Sequence, residues 1–183
     1  KEEAQNNSDI THPNVQTVTA TGIFCVMAFG AIHGLKSTEI IEDLKLLLSN
    51  SCFINEKEEK KLKKIIYEEF NQYEKMNKDR LDPFNYFKEG EKNVFDKMGY
   101  YAHAFRLTLF YVYFCESYLN KNSKKSPIYR ICAEICTFGG DTDTNAAIVC
   151  TVIGPLIGFS NFGPELKMIF KIVATDRYMF SPC

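Results

Sequence analysis

Apolar residues recur at three-to-four spacing along most of the chain, and no stretch of any length alternates with period two. The first ten residues are polar and predict an irregular start. The segment 15–32 carries apolar residues on nearly every face and predicts a buried helix, with Asn14 as N-cap and Gly34 as its C′ stop. Ser37 then caps a second helix, in which Ile40, Ile41, Leu44, Leu47 and Leu48 share a face. In 56–78, Leu62, Ile65, Ile66, Phe70, Tyr73 and Met76 form one apolar stripe among lysines and glutamates. Glu56 with Lys60 and Glu59 with Lys63 are spaced for pairing along a helix. That pattern describes a surface helix packed on one face, or a helix that binds a partner.

Asp82-Pro83 marks a break, and 82–98 fits a short helix and a loop. The segment 100–119 is apolar and aromatic through Phe105, Leu107, Phe110, Tyr111 and Phe114, and predicts a central helix. Ser126-Pro127 supplies an N-cap with proline at the first helical position, and that helix runs to about Phe138. Gly139-Gly140 ends it. A further helix starts near Thr144 and runs through Ile157, with Pro155 predicted to bend it, and Pro164 opens the last. The fold class is therefore all-α, without an internal repeat.

Length and composition narrow the functional classes. A chain of 183 residues, 45% hydrophobic and 25% charged, suits one ordinary globular domain. Its net charge of −1 offers no electrostatic basis for binding nucleic acid or an anionic membrane. Thr19, Thr21 and Gly22 interrupt the longest apolar run, which predicts no membrane span. Of seven cysteines, Cys25, Cys115, Cys132, Cys136 and Cys150 lie in apolar segments and read as small core residues. No C-x-x-C pair is present, and Cys132 with Cys136 shares a helix face better explained by packing than by metal. Reduced cysteines point to an intracellular, cytoplasmic location. The first residue is Lys1 and no signal-peptide pattern follows, so the expectation is that the chain begins inside a longer protein.

Chemistry concentrates in the run from Phe138 through Gly139, Gly140, Asp141, Thr142, Asp143, Thr144, Asn145 and Ala146 to Ala147. Two glycines permit positive φ and close backbone approach. Asp141 and Asp143, two apart, point the same way on an extended turn, and Thr144 adds a hydroxyl. Three hard oxygen donors of this kind suit Mg²⁺, Mn²⁺ or Ca²⁺ better than zinc. One aspartate would suffice to cap a helix, whereas two carboxylates about 4 Å apart repel by ~1 kcal/mol even in water. An EF-hand fails here, because Ala146 stands where its glycine is needed and Val152 where its glutamate is needed. A phosphatase-type D-x-D-x-T fails too, with Asn145 in place of threonine and glycines in place of a buried strand.

Over 139–148 the sequence reads G-G-D-T-D-T-N-A-A-I, which resembles the signature of the ADP-ribosylglycohydrolase family, the dinitrogenase-reductase-activating type among them. The resemblance extends through Gly154 and the phrase from Gly158 to Pro164, and back to Thr11-His12-Pro13 ahead of a helix of small residues. It implies an all-α fold with two central magnesium ions that cleaves ADP-ribose from modified proteins or related small molecules. On that resemblance Asp141, Asp143 and Thr144 are metal ligands, and His12, Gly139 and Gly140 border the substrate. Residues 1–183 correspond to the C-terminal half to two-thirds of the fold, as one incomplete domain.

The family's other ligands come from an N-terminal T-D-D motif, and its glycine-rich opening carries a glutamate; neither occurs here. The remaining aspartates, Asp9, Asp43, Asp79, Asp82, Asp96 and Asp176, are all isolated. Mg²⁺ demands near-octahedral coordination, so three protein ligands cannot hold two ions. The opposing ligands must then come from an N-terminal half or from another protein chain. Cys150 and Pro155 depart from the glycine or alanine usual in the signature helix. The expected function is hydrolysis of ADP-ribosyl bonds; the alternative is a catalytically inactive relative serving as a structural or interaction protein in a larger assembly.

Overall fold

The computed structural model describes residues 14–49, 56–78, 81–88, 90–96, 99–120 and 123–179. The expectation for His12 falls outside them. The helices are α1 (Val15–Ile32), α2 (Ser37–Ser49), α3 (Glu56–Tyr73), α4 (Pro83–Tyr86), α5 (Tyr101–Tyr113), α6 (Cys115–Asn120), α7 (Pro127–Phe138), α8 (Thr142–Ile157) and α9 (Pro164–Met179). Short 3₁₀ turns lie at Gly90–Lys92 and Phe159–Asn161, and the described residues contain no strand, so the class is all-α.

α5 and α8 form the centre, packed against each other. Every residue of α5 from Ala102 to Val112 is buried, as befits a helix apolar all round. α1 packs on both, α2 and α3 pack on α1 and α5, and α7 flanks α8. One continuous core unites them, built on Ile23, Met27, Leu44, Leu62, Ile66, Phe110, Ile131, Val149 and Ile153. Around Tyr73 the rings of Phe70, Phe110, Phe114, Tyr86 and Tyr113 meet edge-on or tilted, with centroids 5.2–6.3 Å apart.

Several local expectations are corrected. α1 is buried on one face only: Phe29 (63% exposed), Ile32 and Val26 face outward. It is also long and apolar enough to cross a membrane by length and composition, contrary to the sequence reading. Three threonines and two glycines do not offset the apolar side chains across its 18 residues, and the Thr19 hydroxyl is satisfied within the helix by Val15 O (2.7 Å). The inner face of α1 is nevertheless core of this bundle. Ser37 is the first helical residue of α2 rather than its cap. The cap position belongs to Lys36, whose backbone N–H donates to Glu39 Oε2 (2.7 Å), one half of a capping box. The predicted central helix 100–119 breaks at Phe114 into α5 and α6. Of the five cysteines expected in the core, Cys115 is buried, Cys132 and Cys150 are half-buried, and Cys25 and Cys136 are exposed.

Other expectations agree. Asn14 caps α1 through its side chain, which accepts from Gln16 N (2.9 Å), and Gly34 follows with φ 85°. Leu62, Ile66, Phe70 and Tyr73 of α3 face the core while Lys60, Lys61 and Lys64 are exposed. Pro155 does sit inside α8, but α8 continues without interruption past it to Ile157, at the place where a bend was expected. The carbonyl of Thr151, which loses its amide partner, is in an exposed residue where water can reach it.

Candidate metal centre

α7 and α8 are consecutive, adjacent helices joined only by Gly139, Gly140 and Asp141. α7 is held in place from two sides. Glu134 accepts hydrogen bonds from the hydroxyls of Tyr111 (3.2 Å) and Tyr118 (2.5 Å), and Phe138 at its end packs on Phe87 (5.5 Å between centroids). The chain then reverses through two residues in the left-handed region, Gly139 (φ 79°) and Gly140 (φ 72°).

The reason both must be glycine lies in a loop from a distant part of the chain. A Cβ on Gly140 would overlap the carbonyl oxygen of Val94, and one on Gly139 would stand 2.9 Å from the Phe95 ring. Val94 is anchored by its N–H to Phe87 O (3.2 Å), and Phe95 N–H donates to Asn93 Oδ1 (3.1 Å). The Asp96 carbonyl accepts from His103 Nε2 (2.7 Å), and the Glu91 carbonyl accepts from Arg106 Nη1 (3.0 Å). Arg106 is itself anchored by buried Glu69, with Nε 3.3 Å from Oε1. Glu69 also accepts from the Tyr86 hydroxyl (2.5 Å). Burial, with that hydrogen bond second, pushes Tyr86 above its ordinary pKa, and burial does the same for Tyr73. A sequence reading passed over this network. Glu69 stands next to the apolar stripe and Arg106 inside the most apolar segment, and an arginine there was the available signal.

α8 begins at Thr142, two residues before the expected start, because Asp141 takes the N-cap position and its carbonyl accepts from Asn145 N–H (3.0 Å). Its side chain does not act as a cap. Instead it lies within hydrogen-bonding reach of the Asp143 carboxylate. The Thr144 N–H, then the Asp141 side chain, then its own N–H hold Asp143 below its usual carboxylate value. Asp143 and Thr144 are exposed, Asp141 half-buried. The structure thus brings Asp141, Asp143, Gly139 and Gly140 together on one turn, with Thr144 one residue on. Among the described residues no group of three or more His, Cys, Asp or Glu side chains converges on a common point. The donor set is two adjoining carboxylates and a neighbouring hydroxyl. Hard oxygens of this kind fit one side of a magnesium ion and no complete cage.

No curated protein and no solved structure matches the chain. A family model described as ADP-ribosylglycohydrolase matches residues 1–169, which is most of the chain, and with its all-helical fold this protein belongs to the ADP-ribosylglycohydrolase family.

Proposed function

We propose that this chain supplies one half of a two-magnesium site that hydrolyses ADP-ribosyl glycosidic bonds, with Asp141, Asp143 and Thr144 as its metal ligands. The family supports ADP-ribosylglycohydrolase-type activity in general. The observation that carries the finer reading is the pair of adjoining carboxylates. A single helix-start aspartate would cap α8, yet the Asp141 side chain turns away from that role toward Asp143. Like charges at that range are unfavourable unless a cation or proton lies between them. A cation there would take the place of that proton.

Magnesium bound there supplies positive charge to polarise a ribose diol and a water at the scissile bond. The chain's own part is positional. Asp141 and Asp143 place two carboxyl groups on a turn packed against Val94 and Phe95. Gly139 and Gly140, half-buried beside the carboxylates, border the substrate on this reading. His12 lines the substrate pocket on this reading. The opposing ligands come from an N-terminal half of the same domain or from a second chain, and the protein works in the cytoplasm on ADP-ribosylated proteins or ADP-ribose-containing small molecules.

Calorimetric Mg²⁺ titration, with ADP-ribose release followed in parallel, tests this. The 183-residue chain is expected to bind the ion weakly and not to turn over. A longer chain carrying the upstream segment is expected to bind tightly and turn over, and Asp143→Asn is expected to abolish both. Turnover by the bare chain would overturn the half-site. A longer chain that binds no metal would instead support the structural alternative.

A further inference from the structure

The sulfur atoms of Cys132 on α7 and Cys150 on α8 lie 3.4 Å apart. The two residues flank the Gly139–Asp141 connection from opposite sides, one on each of two packed helices. We propose that Cys132 and Cys150 are a reversible thiol–disulfide pair that staples α7 to α8 across the double-glycine turn.

Three observations carry this. The two sulfurs are already in van der Waals contact at 3.4 Å, against about 2.05 Å in a closed disulfide. Neither thiol is sealed in the core: both are half-buried, and exposed Cys136 lies one turn along α7 from Cys132. The two thiols are also chemically unlike. The hydrogen bond from Cys150 outweighs burial and holds Cys132 at about 7, which leaves much of it as thiolate near neutrality. The bond to Cys132, then burial, pushes Cys150 up, so it keeps its proton. One ready nucleophile beside one protonated partner is the asymmetry that a two-step exchange uses.

The oxidant is a low-molecular-weight disulfide, glutathione disulfide in the test. The Cys132 thiolate attacks one of its sulfurs, forming a mixed disulfide and releasing one glutathione thiolate. Cys150, giving up its proton to solvent, then attacks the Cys132 sulfur and expels the second. Two protein thiols lose two electrons and two protons, and one glutathione disulfide becomes two glutathiones. The closed loop from 132 to 150 contains the whole Gly139–Thr144 segment. Oxidation therefore closes a covalent loop around the turn that presents Asp141 and Asp143.

The full chain is equilibrated with glutathione redox buffers at neutral pH, free thiols are blocked with N-ethylmaleimide, and peptides are mapped by mass spectrometry. The expected product is a peptide pair joined through Cys132 and Cys150, two hydrogens lighter than the reduced form and restored by dithiothreitol. Cys132→Ser and Cys150→Ser should each abolish it, and Cys136→Ser should retain it. The oxidised wild type should melt at a higher temperature than the reduced form, a difference lost in Cys150→Ser. Recovery of both cysteines as blocked thiols would overturn the proposal. So would a stable glutathione adduct at Cys132 as the end product, or a crosslink that runs through Cys136. The wild-type mapping decides the matter even if a serine variant fails to fold.

Discussion

Replacing Arg106 with methionine removes the charge that balances Glu69 while keeping most of the side-chain volume. Both side chains are deep, at 10% and 3% exposure, so little solvent screening applies. At 3.3 Å and an effective dielectric constant of about 20, their attraction is about 5 kcal/mol. The Nε is close to Glu69 but not aligned for a hydrogen bond, so this contact is chiefly Coulombic. After the substitution Glu69 keeps the Tyr86 hydroxyl as a partner but loses its counter-charge. Breaking one side of a buried pair costs about 3–5 kcal/mol. In a domain of this length, each kcal/mol lowers Tm by about 2–4 °C, so the fall should be roughly 6–20 °C. Urea and thermal unfolding under reducing conditions measure it. The double variant Arg106→Met with Glu69→Gln should recover much of the loss, because no unpaired buried charge remains. The Glu91 carbonyl also loses its donor, so amide exchange in 90–94 should accelerate. A loss below about 1 kcal/mol would refute the argument by placing the pair among exposed ones. Simple additivity in the double variant would refute it by showing no coupling.

Gly140→Ala should cost about 2 kcal/mol or more, since left-handed backbone alone costs an alanine about 1–2 kcal/mol and its Cβ meets the Val94 carbonyl; denaturant titration checks this, and a neutral result would show that the loop does not sit on the turn. Burial raises Tyr73, Tyr86, Tyr111 and Tyr118 above their ordinary value of 10.0. Their neutral forms favour the native state fully below that value, and this stability is lost as pH climbs from 10.0 toward the higher folded values. Ultraviolet titration should therefore show only part of the ten tyrosines ionising near pH 10, the rest appearing with loss of helix by circular dichroism. All ten ionising together in folded protein would refute it.

The helical class and most helix limits are legible from the residues alone, because those depend on neighbours along the chain. Asn14 and Gly34 bound α1, and Pro127, Phe138 and Pro164 bound later helices where local stereochemistry put them. The double glycine and its aspartates were equally legible, since the motif is contiguous. What the sequence could not determine was which faces are covered. The apolar positions of α1 look alike in sequence, yet Met27 is buried and Phe29 is exposed, which depends on what packs alongside. The breaks at Phe114 and the cap at Lys36 were missed for a similar reason: the residues there permit more than one local geometry, and packing selects between them. It took the folded arrangement to show why Gly139 and Gly140 must both lack a side chain, because the obstruction comes from Val94 and Phe95, some forty-five residues earlier. That arrangement likewise decided that Glu69 meets Arg106 and that Cys132 meets Cys150 rather than sharing a role with Cys136. Local patterns are written in short-range sterics and hydrogen bonding, whereas these pairings arise when separate helices bury their apolar faces against one another and carry their polar residues into contact.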